Sequence, residues 1–156
     1  MPFVPGQWWP IALASLIARN LSIPVIVTAG NSEKSISAEI CRDSESEVID
    51  VAGKTSLVDL ACLLSRARGL IANDSGTMHL AALYGTPTVV PVGPTDMART
   101  GPLNSSFAAV NAPGVCPQAP CRQRTCPRKD HICMESVTPE AVFVELTSLL
   151  RKSHAI

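Results

Sequence analysis

Leu70-Ile-Ala-Asn-Asp-Ser-Gly-Thr-Met-His-Leu-Ala-Ala-Leu-Tyr-Gly-Thr-Pro87 is the stretch from which the fold is read. Its apolar start predicts a buried strand over 70–73, and its centre predicts a helix over 77–84, so a strand runs almost directly into a helix. In open parallel sheets ligands bind beyond the carboxyl ends of the strands, and the unpaired amides of a helix N-terminus suit phosphate oxygens. Asp74, Ser75 and Gly76 fall at that junction. Gly76 lets backbone approach an anion closely, Ser75 and Thr77 add hydroxyls, and His79, three residues beyond Gly76, shares its helical face. A plainer reading also stands for each residue alone: Asp74 or Ser75 caps the helix, and His79 is an ordinary surface or core histidine.

Outward from this stretch the same alternation recurs. Residues 11–21 have helical spacing behind Pro10, 24–28 and 48–51 are short apolar runs, 33–42 and 56–66 are helical, and 88–92 is another strand. Apolar strands without polar alternation predict burial on both faces, and short connections predict right-handed crossovers. The expected fold class is α/β, a doubly wound (Rossmann-like) parallel sheet, with residues 1–156 forming one domain. From Gly93 to about Glu135 the periodicity stops, and Pro, Cys and Arg mark a long loop, Cys-rich over about 113–135. Thr138 as cap, Pro139 and the stripe Val142, Leu146, Leu149 and Leu150 predict a closing helix over about 138–152.

Composition removes several classes of function. The 156 residues carry 13 basic and 13 acidic side chains, so no net field draws the protein to nucleic acid or an anionic membrane. No run approaches the roughly 20 apolar residues of a membrane span, and the N-terminus lacks the pattern of a secretory signal. The cytoplasm is the expected compartment. Cys41 and Cys62 fall in helical patterns where a buried thiol is ordinary.

Asp74-Ser-Gly-Thr-Met-His-Leu-Ala-Ala82, followed by Gly85-Thr-Pro87 and Val92-Gly-Pro-Thr-Asp96, closely resembles the Asp-Thr-Gly-x-x-His-x-Ala-Ala segment and Gly-Pro-Thr turn of glycosyltransferase family 9, the lipopolysaccharide heptosyltransferases. Trp9-Pro10, Gly30 with Glu33, Ala52-Gly-Lys-Thr-Ser-Leu57, and Arg99 with Gly101-Pro102 fall in the same register. The resemblance implies the C-terminal, donor-binding half of a GT-B glycosyltransferase. Its expected partners are a nucleotide-diphosphate sugar such as ADP-heptose and, through the other half, a lipopolysaccharide core acceptor. It implies contacts from Asp74, Ser75, Gly76 and His79 to diphosphate and sugar, and from Glu33 to the ribose. Glu33 alone also reads as a first-turn helix carboxylate. Lys54, Thr55 and Ser56 either line the nucleoside base through backbone, or Thr55 and Ser56 cap the third helix.

Two departures from the family pattern stand out. Gln7 occupies the position where the family usually has a Lys that pairs with diphosphate, which leaves Arg99 or His79 to compensate. The family's acceptor domain, with its catalytic base, and the first strand of this domain are expected to be absent from these residues. No catalytic residue, cofactor or metal is therefore expected here, and membrane contact is at most peripheral, at the inner face of the bacterial inner membrane. The isolated chain is expected to be inactive in transfer. Two other readings remain: a truncated, non-enzymatic nucleotide-binding or assembly module, and a sugar-nucleotide epimerase, which the Asp74–His79 segment matches less well.

Cys116, Cys121, Cys126 and Cys133 follow a C-x4-C-x4-C-x6-C spacing among Arg122, Arg124, Arg128, Lys129 and His131. Structural zinc sites usually contain a pair two to four residues apart, a limit this spacing only touches, so a regular tetrahedral site is not expected. Similar tails occur in the family, which leaves free thiols or disulfides open. The basic residues read as a solvated loop, or as partners for an anionic acceptor.

Overall fold

The computed structural model describes residues 8–44, 48–103, 106–123 and 125–153; Gln7 and Arg124 lie outside them. The chain divides into two compact units, one within Gly6–Leu60 and one within Ala61–Ile156.

In the first unit α1 (Trp8–Leu21) begins three residues before the expected start. Pro10 is accommodated because first-turn amides have no acceptor within the helix, so its missing N–H costs nothing there. Ile11, Leu13, Ala14 and Ile17 form its buried face. The helix ends where Ser22 turns left-handed at φ 52°, its N–H reaching the Ala18 carbonyl at 3.3 Å. β1 (Val25–Val27) leads through a 3-10 turn (Asn31–Glu33) into α2 (Lys34–Asp43), and β2 (Val48–Asp50) follows. β1 and β2 pair in parallel, with Val25 opposite Val48 and Val27 opposite Asp50. Burial on both faces is not found here: Ile26 and Ile49, opposite one another, are 44% and 43% exposed. α3 (Leu57–Arg66) starts in this unit.

In the second unit β3 (Leu70–Ile71), β4 (Thr88–Pro91) and β5 (Phe107–Val110) form a parallel sheet in the order β3-β4-β5. The described strands thus make an α/β fold of parallel strands in two sheets. The central strand β4 is buried along its whole length, as its continuous apolar sequence predicts. α4 (Gly76–Leu83) buries Met78, Ala81 and Ala82, and Met78 packs with Val90 and Val92 in the core, flanked by Ala72, Met97 and Phe107. α7 (Pro139–Ser153) lies on β4 and β5 through Val142, Leu146, Leu149 and Leu150. Its cap is as expected, with the Thr138 hydroxyl accepting the Ala141 N–H at 3.2 Å.

The stretch read as one long loop is more structured than the sequence suggests. It contains α5 (Met97–Thr100), the whole of β5, and a single turn, α6 (Ile132–Glu135). β5 has two alanines and little β-forming character of its own, and pairing with β4 from Thr88–Phe107 to Pro91–Val110 supplies what its sequence lacks. Residues 111–131 are irregular where described, as expected.

Candidate functional site

At the α4 junction the capping reading can be checked atom by atom. Ser75 occupies the N-cap with φ −157° and ψ 170°, yet makes no side-chain capping bond. Asp74 points elsewhere: its Oδ2 accepts the Thr100 hydroxyl at 2.7 Å, and that hydroxyl also reaches the Asp96 carbonyl at 3.1 Å. Among the described residues, therefore, no side chain accepts from the first-turn amides of α4, where most helix N-termini recruit such an acceptor. A Cβ built on Gly76 would meet nothing within 4 Å, so packing does not demand the glycine and the space beside it is open. His79 is exposed and Thr77 half-buried, while the buried Met78 between them anchors the turn. The structure thus brings Asp74, Ser75, Gly76, Thr77 and His79 together around the positive end of one helix, beyond the carboxyl end of β3.

The first unit presents Glu33, Lys54 and Thr55 on the loops that leave β1 and β2. Glu33 closes the 3-10 turn and its Oε2 accepts the Gly30 N–H at 3.3 Å, so it stabilises its own turn while staying exposed. The two loops are tied by the Gly53 N–H on the Ala29 carbonyl at 2.8 Å. Gly53 has φ +63°, and a Cβ there would overlap the Lys34 side chain and Asn31 Oδ1, so this position requires glycine. Lys54 Nζ donates to the Asp50 carbonyl at 2.8 Å. The helix cap is Ser56 and not Thr55: Ser56 Oγ donates to Asp59 Oδ2 at 2.7 Å, and the Asp59 N–H returns to Ser56 Oγ at 3.2 Å. Thr55 makes no hydrogen bond among the described residues, which leaves it available.

Several residues of these neighbourhoods carried no sequence signal. Thr100, the partner of Asp74, belongs to a four-residue helix that periodicity cannot detect. Asp50 accepts the Ser37 hydroxyl at 2.6 Å and the Ala52 N–H at 2.9 Å, and these bonds, the Ser37 one first, hold its carboxyl below the usual range. Asp96 caps α5 through the Ala98 N–H at 3.1 Å, a role that Asp ahead of a helical run does suggest.

In the Cys-rich segment Cys116, Cys121, Cys126 and Cys133 are free, half-buried thiols, and no three His, Cys, Asp or Glu side chains among the described residues are arranged to hold a metal ion. Burial, with Cys116 as a neighbour, pushes the Cys133 thiol up, away from the reactive thiolate. Cys62, expected to be buried, is exposed on α3, and Cys41 is half-buried. Arg128 pairs with Asp130 at 2.7 Å, and those hydrogen bonds hold the Asp130 carboxyl below its usual range.

Parallel strands alternating with helices put this chain in the Rossmann-like α/β class, whose ligands bind beyond the carboxyl ends of the strands. Residues 5–132 match the sequence model of glycosyltransferase family 9 (heptosyltransferase), and the chain belongs to that family. It is 33% identical to lipooligosaccharide heptosyltransferase 2 of Campylobacter jejuni, across 97% of this chain and 49% of that protein. It superposes on the structure of Escherichia coli ADP-heptose lipopolysaccharide heptosyltransferase II with a TM-score of 0.74 and 23% identity, covering 99% of this chain and 45% of that one. A second E. coli heptosyltransferase, whose structure is with ADP, matches with a TM-score of 0.68 and 19% identity, over 92% of this chain and 39% of that one. The chain therefore spans about half the length of the relatives it matches, and it has the fold of the C-terminal half of GT-B enzymes. No helix of the described residues is long and apolar enough to cross a membrane.

Proposed function

We propose that this chain is the donor-binding half of a glycosyltransferase that moves heptose, or a related sugar, from a nucleotide diphosphate to a lipopolysaccharide core acceptor. The observation that carries the reading is the N-terminus of α4, which has no side-chain cap and open space beside Gly76. A diphosphate fits there because its oxygens take the unpaired amides and its charge meets the positive end of the helix. Ser75 and Thr77 add hydroxyl donors and His79 a ring N–H. The structure of an E. coli relative with ADP supports the ligand class. In the first unit Glu33 is the proposed acceptor for ribose hydroxyls, and Lys54 and Thr55 the proposed backbone edge for the base.

In the transfer the acceptor oxygen bonds to the anomeric carbon as its proton passes to a base. The bond from that carbon to the diphosphate oxygen breaks, and ADP leaves with the electron pair. The chain is proposed to stabilise the developing charge on ADP through the α4 N-terminus, with Arg99 or His79 supplying a donor in place of the family's Lys. The base is proposed to come from residues outside these 156, with the reaction on the cytoplasmic side of the membrane.

Donor binding without turnover follows for the chain by itself, since a general base alone contributes roughly 100- to 10,000-fold. Isothermal titration of ADP into the wild-type chain, His79→Ala and Glu33→Ala tests this. Each change is expected to weaken binding about 3- to 30-fold, the scale of one or two lost hydrogen bonds, with no heptose transfer detected. A folded chain that binds no ADP, or two variants that bind like wild type, overturns the donor reading and favours an assembly module.

A further inference from the structure

α5 has only four residues, yet it is fixed at both ends. The Asp96 side chain caps it through the Ala98 N–H at 3.1 Å, and the Asp96 carbonyl accepts the Arg99 N–H at 2.9 Å and the Thr100 N–H at 3.0 Å. Met97 packs on Met78, Val90 and Val92, the same core that anchors α4. At the exit the Gly101 N–H closes on the Met97 carbonyl at 2.9 Å, and a Cβ on Gly101 would overlap that carbonyl, so the tight exit requires glycine. α4 and α5 are thus held on one core, and the group that α5 presents to the residue before the α4 cap is the Thr100 hydroxyl.

That hydroxyl has one proton and two acceptors in range. The Asp96 carbonyl, at 3.1 Å, already takes two amides, whereas Asp74 Oδ2 lies at 2.7 Å, the length of a bond to a charged acceptor. The proton therefore goes to Asp74. Thr100 is the one hydrogen-bond partner of the Asp74 carboxylate among the described residues. A carboxylate released at this position is drawn to the positive end of α4, which begins two residues further on and whose first-turn amides take no side chain among those residues. There it would occupy the donors that an anionic ligand needs and repel the ligand's charge.

We propose that Thr100 is a positioning residue of the donor site: by holding the Asp74 carboxylate, it keeps the first-turn amides of α4 free for the diphosphate. That the anion is a diphosphate rests on the donor reading. That Asp74 and the anion compete for the same amides, with Thr100 deciding between them, does not. Thr100 acts only through Asp74 and touches no part of the nucleotide itself.

Thr100→Val keeps the shape of this exposed side chain and removes its hydroxyl. In the 15N-labelled chain without nucleotide, the change is expected to shift the Gly76 and Thr77 amide signals as Asp74 turns toward them. The same change made in the Asp74→Ala background is expected to leave them in place. With ADP as the probe, isothermal titration is expected to give binding about 3- to 10-fold weaker for Thr100→Val, the scale of one hydrogen bond. Thr100→Ser is expected to bind like wild type, and Thr100→Val to cause no further loss in the Asp74→Ala background. A loss that persists in that background, or that Thr100→Ser shares, makes Thr100 a structural residue in its own right and overturns the proposal. An ADP affinity unchanged by Thr100→Val overturns it as well, and Gly76 and Thr77 signals unmoved by Thr100→Val overturn it whatever ADP does. If ADP binds neither wild type nor variants while the ligand-free amides still shift through Asp74, the donor reading fails and the positioning by Thr100 stands.

Discussion

Ser37 is 1% exposed and its hydroxyl lies 2.6 Å from Asp50, a carboxylate at the end of β2 that also accepts the Ala52 N–H. Both bonds favour the charged form, so the folded carboxyl titrates below its unfolded value of about 3.9. The sign follows: the pair's contribution is fully present above about pH 4 and is lost as pH falls through the lower, folded pKa. Ser37→Ala is therefore expected to be less stable than wild type at neutral pH, with the gap narrowing in acid. Urea unfolding at about pH 7 and about pH 3 measures it, and a gap independent of pH contradicts the assignment. At the nearby loop, Gly53→Ala has both a left-handed φ of +63° and the Lys34 and Asn31 side chains to overcome. A loss of at least about 1 kcal/mol in the same urea assay is expected. Gly53 was legible only as part of the family register, because the side chains that exclude a Cβ there, Asn31 and Lys34, lie about twenty residues away in sequence. The role of Asp74 was open for the same reason: its partner Thr100 is 26 residues away. Ser56, by contrast, finds its partner Asp59 three residues on, and such local chemistry can be read from sequence.

At the scale of elements, α4 is a helix of eight residues whose position depends on Met78, fully buried against Val90 and Val92. Met78→Ala is expected to cost about 2–5 kcal/mol, the range for emptying such a site, measured by thermal or urea unfolding. A cost below about 1 kcal/mol would mean that the core collapses around the gap and does not hold α4. Elements with a strong period or a fully apolar run were legible: α4, α7 and β4 fall within a residue or two of expectation. β5 was not, since Phe107-Ala-Ala-Val110 acquires its strand conformation from hydrogen bonds to β4, a non-local cause. The β1–β2 pair shows the converse. Its apolar sequence predicted two covered faces, but Ile26 and Ile49 are partly exposed in this chain.

For the whole molecule, the sequence match reaches across most of this chain and about half of its relatives, so the chemistry proposed here is that of a half-site. The candidate nucleoside contacts lie in the unit within Gly6–Leu60 and the candidate phosphate contacts in the unit within Ala61–Ile156. The family motif made the second group legible in the sequence, while the unused amides and the open space beside Gly76 required coordinates. The central claim is that the N-terminus of α4 holds the diphosphate of a nucleotide donor. Backbone amide shifts of the 15N-labelled chain, followed during titration with ADP and in parallel with adenosine, test it most directly. The account predicts that Gly76 and Thr77 amides move strongly with ADP and little with adenosine, because only the diphosphate reaches them. ADP that binds elsewhere and leaves both amides unmoved would contradict it.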